Sequence, residues 1–126
     1  MASGCVEAAP NDIEHGLQQI ESLFGSESRQ RMQAAMQDVP LTAQAGIEAV
    51  GRIYGDQAVL SLKVRELITV AVLAARGDAL PQLRVHLRGA CSAGASREEI
   101  FAVLDQLHPY CGIPVAFNAI ACARVF

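Results

Sequence analysis

Two residues able to move protons, Glu66 and His86, stand on surfaces that are otherwise apolar. Glu66 immediately precedes the run Leu67 to Ala75, and His86 shares a helical face with Leu83, Leu87 and Ala90. A carboxyl group withdrawn from water favours its neutral, proton-carrying form, which makes it an acid. An imidazole beside it can exchange that proton or stabilise a developing oxyanion. The spacing lets the two meet, because a short turn near Gly77 and Asp78 makes their helices antiparallel neighbours. Glu66 lies about 11 residues before that turn and His86 about 8 after it, a height difference of roughly 4–5 Å at about 1.5 Å per residue. Both can therefore point into one pocket. The same pair would equally serve as a buried hydrogen bond that only keeps two helices in register.

Arg65, Arg84 and Arg88 flank the pair, and a guanidinium is the natural two-pronged partner of a carboxylate. Arg65 and Arg88 are the candidates for holding a small anionic substrate, although each could instead make an ordinary surface ion pair. Tyr110-Cys111-Gly112-Ile113-Pro114 reads as a tight corner between helices, with Tyr110 as a candidate pocket residue. His15 and His108 have no cluster around them and are expected at the surface. The four cysteines, Cys5, Cys91, Cys111 and Cys122, form no Cys-x-x-Cys. They read as small hydrophobes in a reducing compartment, with no metal site.

Helices must position these groups, since apolar residues recur at intervals of three and four and alternation is almost absent. Asn11 and Glu14 predict a capping box ahead of Ile13, Leu17, Ile20 and Phe24, with Gly25 as the stop. Met32, Ala35, Met36 and Val39 mark a second helix that Pro40 ends; Thr42 would cap a third, bearing Ile47, Val50, Ile53 and Tyr54, with Gly55 just past its end. Ser61 opens the fourth, which Gly77 terminates, and from Leu67 it is apolar all round, as befits a helix that is central or shared between subunits. The fifth spans about Leu80 to Ala93; Ser96 and Glu99 box the start of a sixth that runs to Pro109; Pro114 starts a last helix rich in alanine. The expectation is an all-α, compact domain of about seven helices.

At 126 residues and 52% apolar content, the chain suits one domain over 1–126, with 1–10 as a flexible N-terminus. A net charge of −3, and ten Lys and Arg that never form a run, argue against nucleic acid and an anionic membrane surface as partners. Met1 to Gly16 lacks a signal-peptide layout, and the apolar run interrupted by Thr69 is too short to span a bilayer. A cytoplasmic protein is expected.

Several blocks in order look like those of a known family: Arg65-Glu66-Leu67-Ile68-Thr69, Leu83-Arg84-Val85-His86, Ala93-Gly94-Ala95-Ser96-Arg97-Glu98-Glu99-Ile100, and Tyr110-Cys111-Gly112-Ile113-Pro114. Together with Asn118-Ala119 and Ala123-Arg124-Val125-Phe126, they make residues 61–126 resemble the carboxymuconolactone decarboxylase family, which includes proteins with the alkylhydroperoxidase D-like fold. The resemblance implies an all-α fold assembling as a homo-oligomer, trimer or hexamer, with sites near subunit contacts. Members resembling alkylhydroperoxidase D carry Cys-x-x-Cys ahead of the histidine, where this chain has Ala79 and Gln82, so the nucleophile for peroxide reduction is missing there. The decarboxylase branch keeps Glu66 and His86, and implies cofactor-free loss of CO2 from a carboxylated unsaturated lactone. Two departures fall near the expected pocket and bear on substrate more than fold. The usual Trp-x-Arg-Pro-Gly-Leu block is replaced by Tyr54-Gly55-Asp56-Gln57-Ala58-Val59-Leu60, and the Glu-to-His stretch is one residue longer around Ala79 to Pro81. Related acid/base chemistry on the same pair (isomerisation or dehydration), or a non-catalytic oligomer binding a small ligand, are the alternatives.

Overall fold

The computed structural model describes residues 10–126, and every one of their regular elements is a helix. Cys5 lies outside the described residues, as does the rest of the expected N-terminal segment up to residue 9; the side chain of Asn11, the expected first cap, is likewise outside them. The described chain forms two compact units, one ending at Asp56 and one running from Gln57 to Phe126.

The first unit holds α1 (Pro10–Phe24), α2 (Ser26–Asp38) and α3 (Pro40–Gly55). Each packs on the other two, with α1 against α3 as the main contact. Leu17, Ile20, Leu23 and Phe24 are buried with Ala43, Ile47 and Tyr54, and the Phe24 ring meets Tyr54 edge-on at 6.4 Å. The close approach of α1 to α3 depends on Gly16, where a Cβ would run into the backbone carbonyl oxygen of Ile47. The expected Thr42 cap is not used. Pro40 itself starts α3, since its fixed φ suits a first turn and it has no N–H to satisfy. Gly55 falls inside the last turn of α3.

The second unit holds α4 (Leu62–Arg76), α5 (Leu80–Ser92), α6 (Arg97–Asp105), the four-residue turn α7 (His108–Cys111) and α8 (Ile113–Arg124). Setting α7 aside, the helices among the described residues are the expected seven. α4 is central here, packing chiefly along α5 and also on α6, α7 and α8. Val70, Ala74, Leu83, Leu87, Ile100 and Leu104 form the core with the small residues Ala119, Cys122 and Ala123 of α8, which let that helix sit close. One flank of α4 stays open, with Ile68 and Val72 about half exposed.

Pro109 does not end α6, which stops earlier, at Asp105. A helix carried through Pro109 would lose the N–H that should reach the Asp105 carbonyl and would drive the proline ring into it. The chain breaks before that point, and the Nδ1–H of His108 donates to the Asp105 carbonyl oxygen instead, at 2.8 Å. His108 is exposed, as is His15.

Candidate active site

The helix that carries Glu66 is fixed at both ends by its own sequence. The Ser61 hydroxyl accepts the Val64 N–H at 3.2 Å, closing the first turn of α4. At the other end Gly77 adopts φ 76°, a left-handed conformation that costs glycine little, and turns the chain into α5. Thr69 interrupts the apolar run without harm, because its hydroxyl donates to the Arg65 carbonyl at 3.1 Å. The first turn of α4 is also tied to α6 by an ion pair of 3.1 Å between Lys63 and Glu99. Glu99 doubles as the reciprocal partner of Ser96 in the capping box of α6. The hydrogen bond from Lys63, and then that from the Ser96 backbone, hold the Glu99 carboxyl below its ordinary range.

On this hairpin Glu66 and His86 meet. His86 Nδ1 lies 2.9 Å from Glu66 Oε2. Glu66 is 0% exposed and is the buried charged residue of the described core; the His86 side chain is 16% exposed. One helical turn along each face lie Val70, Leu83 and Ala90, all buried, so the pair sits in an apolar setting. The second oxygen of the carboxyl, Oε1, is buried with no hydrogen-bond partner. Such an orphan is uncommon, since buried polar atoms are nearly always paired. The 2.9 Å contact has two forms: an imidazole N–H donating to a carboxylate, or a carboxyl O–H donating to a bare nitrogen. They differ by one proton moved along the bond, so the arrangement can pass a proton between an interior oxygen and a ring that solvent partly reaches.

The other sequence candidates are placed less tightly. Arg65 is half-buried on the first turns of α4, and Arg88 is exposed on α5. Tyr110 is 85% exposed on α7. Neither Arg88 nor Tyr110 hydrogen-bonds Glu66 or His86 among the described residues. Two grooves on the surface of this unit lie between α6 and α8, and neither is lined by the pair. Cys91 is exposed, Cys111 half-buried and Cys122 buried, all as free thiols. No three His, Cys, Asp or Glu side chains gather as a metal-binding group among the described residues, and no described helix is long and apolar enough to cross a membrane. Periodicity gave no sign of the Lys63–Glu99 tie; the capping box exposed the role of Glu99 but not its partner 36 residues away.

A sequence profile of the carboxymuconolactone decarboxylase family matches residues 40–125. The chain belongs to that family. The match reaches further back than the 61–126 stretch that carries the recognisable blocks, taking in all of α3. A relative from Paracoccus denitrificans, an uncharacterised 15.0 kDa protein of the nqo9–nqo10 intergenic region, is 35% identical over 66 residues. That alignment covers 52% of this chain and 49% of the relative, so the chain spans about half the length of the curated protein it matches. In this carboxymuconolactone decarboxylase family protein, Glu66 and His86 are in contact across the α4–α5 hairpin.

Proposed function

We propose that this protein is a cytoplasmic, cofactor-independent carboxy-lyase that decarboxylates a carboxylated unsaturated lactone, or a similar small carboxylic acid, by acid/base chemistry at Glu66 and His86. The observation that carries the reading is the buried carboxyl with one oxygen on His86 and the other unpartnered. A carboxyl kept only to hold helices together gains nothing from an unsatisfied oxygen, whereas a proton carrier uses it.

In this reading His86, the more exposed member, meets the substrate. The bond between the ring carbon and the departing carboxylate breaks, and its electron pair moves through the conjugated double bond onto the lactone carbonyl. CO2 leaves, and a dienolate remains. An imidazole N–H gives its proton to carbon as the dienolate collapses. Glu66 returns a proton to the ring through Nδ1 and holds the tautomer that donates. One proton is taken up from solvent per turnover. Arg65 and Arg88 are the proposed holders of a second carboxylate, with Tyr110 joining from α7; the exposure of Arg88 and Tyr110 leaves them available to a ligand or to a neighbouring subunit. The chain acts as a homo-oligomer, trimer or hexamer, because Ile68 and Val72 leave an apolar flank of the central helix uncovered.

The test is turnover of purified protein on a panel of carboxylated unsaturated lactones and β-keto acids. CO2 release with matching proton uptake, lost in His86→Ala, is expected. No turnover anywhere on the panel would favour isomerase or dehydratase chemistry on the same pair. The full burial of Glu66 favours one further reading, a structural clip in a non-catalytic helical oligomer that binds a small ligand.

A further inference from the structure

Among the described residues, His86 alone hydrogen-bonds the Glu66 carboxyl, whose second oxygen is buried without a partner. Where that carboxyl points therefore depends on the backbone that carries it, the first turns of α4. This end of the helix departs from a local rule. A helix N-terminus carries partial positive charge and favours an acid, yet the first turn of α4 has none and carries Lys63. The charge that offsets Lys63 comes from 36 residues away, with its ammonium 3.1 Å from Glu99. Glu99 lies in the first turn of α6, where its charge suits the helix end. Its Oε1 takes the Lys63 ammonium and its Oε2 accepts the Ser96 backbone N–H, so one carboxylate joins the heads of two helices. Lys63 sits one turn before Glu66, and helical side chains lean over the turn that precedes them. The Lys63 and Glu99 side chains are 38% and 43% exposed, and ion pairs so open to water contribute little to stability. Position is more sensitive, since misplacing a reacting group by about 1 Å costs roughly 10²-fold in rate.

From this we infer that Lys63 is a positioning residue: bound to Glu99, it fixes the first turn of α4 against α6 and so sets the angle at which Glu66 meets His86. Neither Lys63 nor Glu99 hydrogen-bonds Glu66 or His86 among the described residues, so the action runs through the backbone. Ser61 caps the same turn, but from within α4, and leaves open where that turn lies on its neighbours. The bond to Glu99 supplies that second constraint. An acid in the first turn of α4 would favour the helix end without any partner, so stability alone does not account for Lys63. The inference rests on the reading of Glu66 and His86 as the acid/base pair, and adds how the acid is held.

The experiment compares turnover, melting and the His86 ring in the full chain and in Lys63→Met, Lys63→Arg, Glu99→Gln and the Lys63→Met/Glu99→Gln double variant. Glutamine at 99 keeps a side-chain oxygen for the Ser96 N–H, so the cap survives and only the ion pair is lost. Lys63→Met and Glu99→Gln are each expected to lower kcat about 10- to 100-fold with KM unchanged, while the melting temperature falls only slightly. The double variant should be no worse than either single, and Lys63→Arg should recover most of kcat. Full turnover in both singles would overturn the inference. So would a raised KM with kcat intact, which would make Lys63 a holder of substrate instead. Nuclear magnetic resonance of the His86 ring nitrogens tests the same point without substrate. The Nδ1 signal should report its hydrogen bond in the native chain and shift in Lys63→Met and Glu99→Gln. A native chain that turns over nothing would defeat the carboxy-lyase reading and leave this second measurement to decide. Ring signals identical in all the variants would then overturn the positioning role.

Discussion

The unpaired oxygen of Glu66 distinguishes two roles for the pair that make opposite predictions. If the pair moves a proton to substrate, Glu66→Gln and His86→Ala should fold normally, and each should lower turnover by about 10²–10⁴. The double variant should be little worse than the worse single, because groups acting as one unit do not add. If the pair is a clip, each change strands a buried polar atom at a cost of about 1–3 kcal/mol, seen as a lower melting temperature with turnover unaffected. Thermal melts and single-turnover rates on the three variants separate these. The free thiols give a control, since Cys91→Ser and Cys111→Ser should keep full turnover. Loss of turnover in Cys111→Ser with the fold intact would transfer the chemistry to sulfur.

At the scale of elements, the helices held by local sequence signals were the legible ones. Ser61, Gly77, and Ser96 with Glu99 each act at the position their type predicts, since a cap depends on residues within one turn. The misreadings fell beside prolines. Pro40 ends α2 as expected but also starts α3 itself, in place of the Thr42 cap, and Pro109 sits inside a short turn beyond a helix that had already ended. What no local pattern could show is how closely helices approach. Gly16 is unremarkable in sequence, yet a methyl there would meet the Ile47 carbonyl oxygen, which is backbone and cannot swing aside. Gly16→Ala should therefore destabilise by about 1–3 kcal/mol through overpacking, despite alanine's better helix propensity of roughly 1 kcal/mol. Urea denaturation checks the sign. The Glu99 carboxyl, held low by Lys63 and the α6 cap, stabilises the folded state above the ordinary carboxylate range, and that contribution is lost as pH falls through its lowered value. The melting difference between the native chain and Glu99→Gln should shrink in acid, and one that stays constant down to low pH would deny the carboxylate this part.

For the whole molecule, family and fold class were legible because they rest on long patterns: seven apolar periods and a series of motif blocks in order. The meeting of Glu66 and His86 was legible for a simpler reason, that both lie on one hairpin whose turn could be located. The surroundings of the pair were not, because Arg88 and Tyr110 stand exposed and their distances from it depend on packing between separate elements. Assembly belongs to this scale too. With Ile68 and Val72 open on α4 and Phe117 open on α8, native mass spectrometry should show few free monomers, and a chain that remains monomeric as concentration rises would exclude subunit contacts from the site.

The position of the pair on a single hairpin has a kinetic consequence. Glu66 and His86 are 20 residues apart along the chain, and the segment between them closes through the Gly77 turn. Loop closure over so short a distance carries a small entropic cost, and contacts of low sequence separation form early in folding. The Glu66–His86 bond therefore belongs to the local, fast-forming part of the chain, and need not await the more distant pairing of α4 with α8. Hydrogen exchange pulsed during refolding should find the α4 and α5 amides protected ahead of those in α8. A chain whose start and end are rejoined and reopened at the exposed Gly94 turn would keep the hairpin, and with it the pair, uninterrupted.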